Sequence, residues 1–234
     1  MSELTWDTLY TDHADAYELL VSHEDYQGSL PRAIQSIQPL AGTLAVEFGC
    51  GTGRVTGLLS GLVRRLHAFD FTASMLRVAQ ANQRRKDWNN TTLALADSRQ
   101  MPVCSGWADF AIQGWAFLQV AVWNPDDWQI QLGRALDEMH RLVRPGGRMI
   151  LIETLGTGES VPKVSPFFRA VYDFLEAQRG FVPLNIRTDY CFETLEQVHQ
   201  VIVPLFGPAM LERLVKTGAG WVLPECTGLW WREV

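Results

Sequence analysis

The fold prediction starts from the run Val46-Glu47-Phe48-Gly49-Cys50-Gly51-Thr52-Gly53-Arg54. This run begins inside an apolar stretch typical of a buried strand, Leu44 to Phe48, and leads into a segment that can form a helix. Three glycines at alternate positions allow positive φ angles and remove the Cβ atoms that would hold a ligand away from the backbone. We therefore predict a strand, a ligand-binding turn and a helix that begins at about Arg54.

Short β-forming runs alternate with helical segments as far as Thr154. Further strands are predicted over about 66–69, 92–96, 110–112 and 148–153. The clearest helix spans Leu132 to Val143, where apolar residues recur at helical spacing, and the Arg-Pro-Gly-Gly run at 144–147 ends it. Thr72 is expected to cap a helix that continues through residues 75–79. This alternation predicts a doubly wound, mainly parallel α/β sheet, in which ligands bind beyond the carboxyl ends of the strands.

Two regions lie outside this alternation. Residues 1–40 are predicted to be helical, with Tyr10, Tyr17 and Tyr26 roughly in step. Residues 155–234 contain an extended piece near 186–192, a helix over about 195–206, a second helix over 209–217 and a last β-type run, Trp221 to Trp231. We predict that both regions cover the open ends of the strands and complete the sheet.

Composition and charge exclude several classes of protein. Of the 234 residues 47% are hydrophobic, which is too high for a disordered chain. The net charge of −6 argues against a partner among nucleic acids or anionic membranes, and no apolar run reaches the ~20 residues that span a bilayer. The four cysteines are widely spaced, so we expect free thiols and no metal site. A cytoplasmic location is expected because the first residues lack the basic and apolar pattern of a secretion signal.

Acidic residues stand at the ends of three predicted strands: Glu47, Asp70 and Asp97. A carboxylate at Asp70 can accept two hydrogen bonds from ribose hydroxyls. Asp97 can accept one from the amine of adenine, while the backbone N–H of Ser98 donates to a ring nitrogen. Taken singly, Asp70 could instead cap a helix and Asp97-Ser98 could form a simple turn. Glu47 would repel a pyrophosphate and suits a cationic amino group.

Together with the run Leu142-Val143-Arg144-Pro145-Gly146-Gly147, these motifs resemble the class I S-adenosylmethionine-dependent methyltransferases. The run Phe69-Asp70-Phe71-Thr72-Ala73-Ser74-Met75-Leu76 is similar to their small-molecule and quinone-type branch. The resemblance implies a single domain over residues 1–234 with a Rossmann-like sheet of seven strands. Residues 1–40 would form a helical cap, 41–154 the cofactor-binding core, and 155–234 a lid inserted after the fifth strand together with the rest of the sheet.

Three further stretches resemble a less well described bacterial group of such enzymes, over most of the chain. They are His23-Glu24-Asp25-Tyr26-Gln27-Gly28, Ile152-Glu153-Thr154-Leu155-Gly156-Thr157-Gly158 and Pro224-Glu225-Cys226-Thr227-Gly228-Leu229-Trp230-Trp231. This second resemblance does not identify a methyl acceptor.

The family resemblance implies S-adenosylmethionine as cofactor and assigns residues to its parts. Its methionyl part would lie against Glu47 and the backbone of Gly49, Cys50, Gly51 and Gly53, with no chemical role for the Cys50 thiol. The remaining assignments concern the nucleoside and the methyl group. They are Asp70 on the ribose diol, Phe71 and Met75 against adenine, Asp97 and Ser98 at the adenine edge, and Gly114 and Trp115 near the sulfonium and the acceptor.

The implied reaction is an in-line transfer of the methyl group to an O, N, C or S atom of a small-molecule acceptor. A general base is needed only where the acceptor arrives protonated. The candidates are Glu153 at the end of the fifth strand, His23, Tyr17 and Tyr26. Three tryptophans after the fourth strand, Trp115, Trp123 and Trp128, could line an apolar acceptor pocket or fill the core. The sequence does not determine the oligomeric state.

Two other functions remain open from the residues alone. An NAD(P)-dependent oxidoreductase shares the strand–glycine–helix arrangement, but Arg54 stands where the Gly-x-Gly-x-x-Gly fingerprint has its third glycine. A non-catalytic module could retain the same cofactor site, and only turnover separates it from an enzyme. A nucleic-acid methyltransferase is disfavoured, because Gly114-Trp115-Ala116-Phe117 replaces an Asn/Asp-Pro-Pro-aromatic motif.

Overall fold

The computed structural model of the protein describes residues 13–234. A central sheet contains seven strands, numbered in chain order: β1 Leu44–Phe48, β2 Arg65–Asp70, β3 Thr91–Leu95, β4 Ala108–Gly114, β5 Val143–Thr157, β6 Val182–Arg187 and β10 Glu225–Glu233. A second sheet, in the order β7-β9-β8, contains the short strands β7 Tyr190–Phe192, β8 Val215–Thr217 and β9 Gly220–Leu223.

Helices cover both faces of the central sheet and its carboxyl edge. They are α1 Ala14–Ser22, α2 Ser29–Ile37, α3 Arg54–Leu59, α4 Ala73–Lys86, α5 Phe117–Trp123, α6 Trp128–Leu142, α7 Pro166–Asp173 and α8 Leu195–Phe206. A π-helical turn, Phe174–Gln178, continues α7, and a 3₁₀ helix, Pro208–Arg213, follows α8. Over residues 13–234, none of these helices is both long and apolar enough to cross a membrane.

The seven-stranded sheet has the order β3-β2-β1-β4-β5-β10-β6. Strands β1 to β5 pair in parallel, and β10 runs antiparallel between β5 and β6. The predicted mainly parallel, seven-stranded α/β sheet is therefore confirmed. The strand order reverses between β1 and β4, and a crevice at such a switch point is where open α/β sheets bind ligands.

Alternation along β1 explains why helices pack on both faces. Val46 and Phe48 are fully buried in one apolar cluster together with Leu136 of α6, whereas Ala45 belongs to a second cluster together with Ile34 of α2. Successive strand side chains point to opposite faces, so a strand that is apolar at nearly every position must be covered on both sides.

The predicted end of the long helix is correct, but the turn at 144–147 lies within β5. Val143 pairs with Ala108 and Arg148 with Phe110, so the intervening residues form an irregularity in a continuous strand. The end of the chain holds this segment: Gly146 N donates to Val234 O (2.7 Å), and Val234 N donates to Gly147 O (2.9 Å). A contact between residues so far apart in sequence could not be predicted from the local Pro-Gly-Gly pattern.

The C-terminal region differs from the prediction in two places. The predicted second helix, 209–217, is wrong beyond the 3₁₀ helix, because Val215 pairs with Val222 in a β8–β9 hairpin. The predicted β-type run at 221–231 is two strands in different sheets, divided at Pro224, which has no N–H for a sheet. Helix α8 is confirmed over its full predicted length, whereas α5 and α7 were not predicted. Tyr10 lies outside the described residues.

Candidate active site

Two neighbouring cavities open at the carboxyl ends of β1, β2, β4 and β5. The first has a volume of about 300 Å³, and its wall includes Gly49, Gly51, Asp70 and Asp97. The second, of about 500 Å³, lies between this edge and residues of α1, α7, β7 and β10. The two cavities share four lining residues, namely Tyr17, Trp115, Gln119 and Trp123. We call them the first cavity and the acceptor cavity.

The glycine turn after β1 forms the floor of the first cavity. Gly49 (φ +63°) and Gly51 (φ +56°) adopt the left-handed conformation that favours glycine. A Cβ at Gly49 would collide with the Cβ of Ala116. At Gly51 the only neighbour within 4 Å among residues 13–234 would be the ring of Tyr17, 3.8 Å away. At Gly53 it would lie 2.6 Å from Trp88, outside the cavity lining. Gly49 and Gly51 thus shape the cavity, and Gly53 allows close packing behind it.

Asp70 joins the end of β2 to this turn. Its Oδ2 accepts a hydrogen bond from Gly51 N (2.8 Å), and its Oδ1 accepts one from Thr72 N (2.7 Å). Burial raises the pKa of Asp70, and these backbone donors oppose the increase. Thr72 occupies the predicted N-cap position of α4, but its side chain makes no capping hydrogen bond. The carboxylate of Asp70 instead accepts from the backbone N–H of Thr72.

Glu47 lies beneath the turn and does not line the first cavity. Its carboxyl is buried, and Oε2 accepts a hydrogen bond from the hydroxyl of Thr56 in α3 (2.6 Å). Burial raises its pKa to about 8. Cys50 is also buried and absent from the lining, with its backbone N donating to Phe69 O (2.8 Å). Both residues support the turn from below.

The opposite wall of the first cavity combines apolar and charged groups. Phe71 is 68% exposed at its rim, and the buried Met75 lies behind it. Asp97 accepts hydrogen bonds from Arg99 Nε (2.9 Å) and Nη2 (2.6 Å), and these bonds lower the pKa of Asp97. Ser98 and Arg99 complete this wall. A ligand that uses Asp97 would therefore share its carboxylate with Arg99, a residue that the sequence did not indicate.

Trp115 separates the two cavities and has a strained backbone. Its φ is +54°, which is rare for a bulky residue, and its N–H donates to Ile152 O (2.7 Å). The guanidinium of Arg54 lies 3.9 Å from the centre of a Trp115 ring. Gly114, which also lines the first cavity, cannot carry a Cβ because Val55 would be 2.8 Å away. Backbone and side-chain contacts thus hold Trp115 in place at the junction between the two cavities.

Among residues 13–234, three carboxyl groups and one guanidinium line the acceptor cavity. Arg54 Nη1 donates to Glu24 Oε2 at 2.5 Å, and the two side chains are only 12% and 2% exposed. Glu153 Oε1 accepts hydrogen bonds from Gln113 Nε2 (3.0 Å) and Leu118 N (2.9 Å). Burial raises the pKa of Glu153 to about 7.

Glu225 and Arg54 each have a side-chain atom in this region whose hydrogen-bonding capacity is not used by the described residues. Glu225 Oε1 accepts a hydrogen bond from the Thr154 hydroxyl (2.7 Å), and Thr157 also lies beside this carboxyl. The pKa of Glu225 is raised to about 8, mainly by burial and next by the charge of Glu24. Within residues 13–234, Glu225 Oε2 and Arg54 Nη2 are buried atoms with no hydrogen-bond partner. Such atoms are costly to bury and are expected to meet a ligand or water.

Comparison with known proteins identifies the core of this structure. Residues 46–151, from β1 into β5, match the family model described as a methyltransferase domain. We call residues 46–151 the methyltransferase domain, after the family model that they match. It contains the glycine turn and the ends of β2 and β4, so the family match and the first cavity coincide.

Relatives of the methyltransferase domain act in different reactions. A malonyl-[acyl-carrier protein] O-methyltransferase of Pseudescherichia vulneris is 31% identical over 57% of this chain and 47% of that protein. A demethylmenaquinone methyltransferase of Staphylococcus carnosus is 27% identical over 78% of this chain and 71% of that protein. The chain therefore spans about half of the length of the first relative. These similarities give no support to the oxidoreductase alternative.

A solved S-adenosylmethionine-dependent methyltransferase from Aquifex aeolicus shares the fold, with a TM-score of 0.58. It is 15% identical, and the match covers 94% of this chain and 99% of that one. The likeness therefore extends beyond the methyltransferase domain to most of the N- and C-terminal regions.

The four predicted base candidates lie in different surroundings. Glu153 and Tyr17 line the acceptor cavity. The phenol of Tyr17 is protonated near neutral pH at its ordinary pKa, and burial raises that pKa further. His23 lies outside both cavities, with Nδ1 3.1 Å from Cys191 O and its ring against Phe192. Tyr26 is 40% exposed and accepts a hydrogen bond from Gln27. The structure thus argues against His23 and Tyr26 as bases.

The three tryptophans that follow the fourth strand also lie in different surroundings. Trp115 and Trp123 line both cavities, whereas Trp128 packs against Phe174 (5.4 Å between ring centres) and Phe167 (6.0 Å) in the core. Only the first two therefore agree with the pocket interpretation.

Sequence reasoning did not identify Glu24, Arg54 and Glu225 as site residues. Glu24 and Glu225 lie in two of the stretches that carry the resemblance to the bacterial group. Arg54 was considered only as a departure from a nucleotide fingerprint. A charged residue at the first position of the helix after the glycine turn was the available signal, but its partner Glu24 is 30 positions earlier in the chain.

Proposed function

We propose that the protein is an S-adenosylmethionine-dependent methyltransferase that acts on a small-molecule acceptor. The observation that carries this proposal is the pair of adjoining cavities: a glycine-floored cavity in the methyltransferase domain meets a cavity with aromatic walls across Trp115. When bound, the donor supplies a methyl group on a sulfonium sulfur, so an acceptor atom needs only alignment and a lone pair to displace S-adenosylhomocysteine.

The residues of the first cavity fit this donor. The turn at Gly49 and Gly51 leaves open the space that a Cβ would occupy, which suits close approach by the methionyl part. Asp70 lines the cavity with a carboxylate that Gly51 N and Thr72 N hold in place, and we infer that it also accepts hydrogen bonds from ribose hydroxyls. The exposed ring of Phe71 offers a face for adenine. We infer that Asp97 and Ser98 contact the adenine edge.

Other residues act indirectly on the donor. Glu47 positions the turn by holding the hydroxyl of Thr56 at the start of α3. Cys50 supports the same turn by its buried side chain, and Gly53 supports it by allowing close packing against Trp88. We therefore infer that Glu47 is a positioning residue and that the direct contacts come from the backbone of the turn.

At the junction of the cavities the chain aligns and desolvates the reacting groups. Alignment of bound reactants can supply up to roughly 7–11 kcal/mol of a reaction barrier. Trp115, Tyr17 and Trp123 surround the junction with aromatic surface, which excludes water and favours a cation by about 0.5–2 kcal/mol. Glu153 is the best-placed proton acceptor, because it lines the acceptor cavity and its raised pKa is near neutrality.

Specificity for the acceptor would come from residues outside the methyltransferase domain. Tyr17, Glu24, Phe168, Tyr190 and Glu225 all line the acceptor cavity and lie outside residues 46–151. This division explains how relatives named for a malonyl-[acyl-carrier protein] and for demethylmenaquinone can share the donor domain.

The proposal is tested by calorimetric titration with S-adenosylmethionine, S-adenosylhomocysteine and NADPH, followed by a screen of small-molecule acceptors for release of S-adenosylhomocysteine. We expect the two sulfur nucleosides to bind and NADPH not to bind, and at least one acceptor to be methylated. Binding of NADPH alone would contradict the assignment of the first cavity. Donor binding without turnover across the screen would favour the non-catalytic module.

A further inference from the structure

Acidic side chains outnumber basic ones in the lining of the acceptor cavity, and the donor site does not account for them. Its charged lining groups are Glu24, Glu153, Glu225 and Arg54. Arg54 is already paired with Glu24 at 2.5 Å, so its positive charge is balanced within the protein. Among the described residues, Glu153 and Glu225 form no ion pair, although the charge of Arg54 acts on Glu225. An anionic acceptor would enter a cavity in which two acids form no ion pair, which is unfavourable in a poorly hydrated site.

Glu225 has an acceptor atom with no donor. Its Oε1 is engaged by Thr154, but Oε2 is buried and unpartnered within residues 13–234, while the residue as a whole is 1% exposed. A ligand with N–H or O–H groups would satisfy this atom. Burial favours the protonated carboxyl while the cavity is empty, and a cation placed beside it would favour the carboxylate.

The remaining wall suits an apolar or aromatic body that carries a positive charge. Trp115, Trp123, Tyr190, Phe168 and Phe206 contribute aromatic surface to the cavity. Aromatic faces attract a desolvated cation, most strongly an ammonium group over Trp. The volume of about 500 Å³ lies within the range of small-molecule sites.

From these contacts we propose that the methyl acceptor is an amine on an apolar or aromatic body, held by Glu225 and deprotonated by Glu153. This inference rests on the proposed methyltransferase function. The ammonium group first gives a proton to the Glu153 carboxylate. The nitrogen lone pair then forms the N–C bond while the C–S bond breaks and its electron pair returns to sulfur. The products are the N-methylammonium, neutral S-adenosylhomocysteine and the proton on Glu153, which passes to solvent.

The test compares amines with alcohols and carboxylates on the same carbon skeleton. Three sets serve as probes: phenethylamine, 2-phenylethanol and phenylacetate; tryptamine, tryptophol and indole-3-acetate; and octylamine, octanol and octanoate. Affinities are measured by calorimetry with and without saturating S-adenosylhomocysteine. We expect the amine to bind at least about tenfold more tightly than its alcohol in one or more sets, with the carboxylate weakest.

Glu225→Gln should reduce that amine preference at least about fivefold and leave the affinity for S-adenosylhomocysteine unchanged. Glu233→Gln is the matched control, because it lies on the same strand and outside both cavities. Absence of an amine preference in all three sets, or a preference that Glu225→Gln leaves intact, would overturn the proposal.

If the Glu225→Gln variant does not fold, the comparison of amine, alcohol and carboxylate binding to the wild type still tests the proposal. Failure of the proposed methyltransferase function would instead appear as loss of S-adenosylhomocysteine binding in the titration without probe. The two failures are therefore distinguishable.

Discussion

At the scale of single residues, the site depends on carboxyl groups with different surroundings. Asp70 is held by two backbone N–H groups, Asp97 is paired with Arg99, and Glu153 is buried between an amide side chain and a helix N-terminus. Asp70 and Asp97 belong to the first cavity, while Glu153 belongs to the acceptor cavity. Their substitution should therefore affect donor binding and turnover separately.

Asp70→Ala should weaken S-adenosylmethionine binding by roughly 1–3 kcal/mol, because hydrogen bonds to a charged group are lost and the turn at Gly51 loses its anchor. Calorimetric titration measures the change. Asp97→Ala is the comparison variant and should have a smaller effect, since Arg99 already occupies both of its oxygens. An equal or larger loss for Asp97→Ala would contradict this ranking.

Glu153→Gln should lower kcat by about 10²–10⁴-fold, the range for general acid–base catalysis, while donor affinity stays unchanged. In the wild type, kcat/KM should rise with pH through about 7, because the base must be ionised and burial raises its pKa to about 7. Steady-state kinetics across pH check both expectations. A variant that keeps full kcat would show that Glu153 takes no proton in the reaction.

At the scale of elements, the site is a junction between two strand-to-helix turns. The turn between β1 and α3 touches the turn between β4 and α5 where Gly49 meets Ala116. Gln113 strengthens the second turn, because its Oε1 accepts hydrogen bonds from Ala116 N (2.8 Å) and Phe117 N (3.2 Å). Neither turn can move without disturbing the other, which keeps the floor of the first cavity rigid.

Gly49→Ala should destabilise the fold by about 2–4 kcal/mol, since the added Cβ overlaps Ala116 and the residue must also keep a positive φ. Gly42→Ala is the control: its φ is also positive (+77°), but nothing lies within 4 Å of its Cβ position. Gly42→Ala should lower the free energy of unfolding only by the cost of a positive φ in a residue with a Cβ, about 1–2 kcal/mol. Urea unfolding measures both, and equal losses would argue against contact between the turns.

At the scale of the whole molecule, buried carboxyl groups link stability to pH. Glu47, Glu153 and Glu225 each have a pKa raised well above the ordinary value by burial. Between about pH 5 and 8 the folded protein therefore holds protons that the unfolded chain has released. Under this condition the free energy of unfolding falls as pH rises.

We expect the wild-type free energy of unfolding to fall from about pH 5 to pH 8, with Glu47 alone responsible for about 1–4 kcal/mol. Glu47→Gln keeps a side-chain oxygen for Thr56 and has no charge, so its profile should be flatter over this range. Denaturant unfolding at a series of pH values gives the comparison. A profile that falls as steeply in the variant would show that Glu47 does not hold this proton.

Sequence patterns alone predict the central sheet, the glycine turn and the acids at the strand ends. These features follow from short-range rules: β-forming runs, helical spacing, and the positive φ that glycine permits. Gly49, Gly51, Asp70 and Asp97 therefore could be assigned to one edge of the sheet before the structure was known. The first cavity confirms that they share this edge.

The acceptor cavity, in contrast, is apparent only in the folded protein. Glu24, Arg54, Glu153 and Glu225 come from the segment after α1, the start of α3, strand β5 and strand β10, and no local spacing relates them. The partition of the last β-type run between two sheets likewise depends on distant pairing partners. Burial sets the charge of these acids, and burial arises from the packing of segments far apart in the chain.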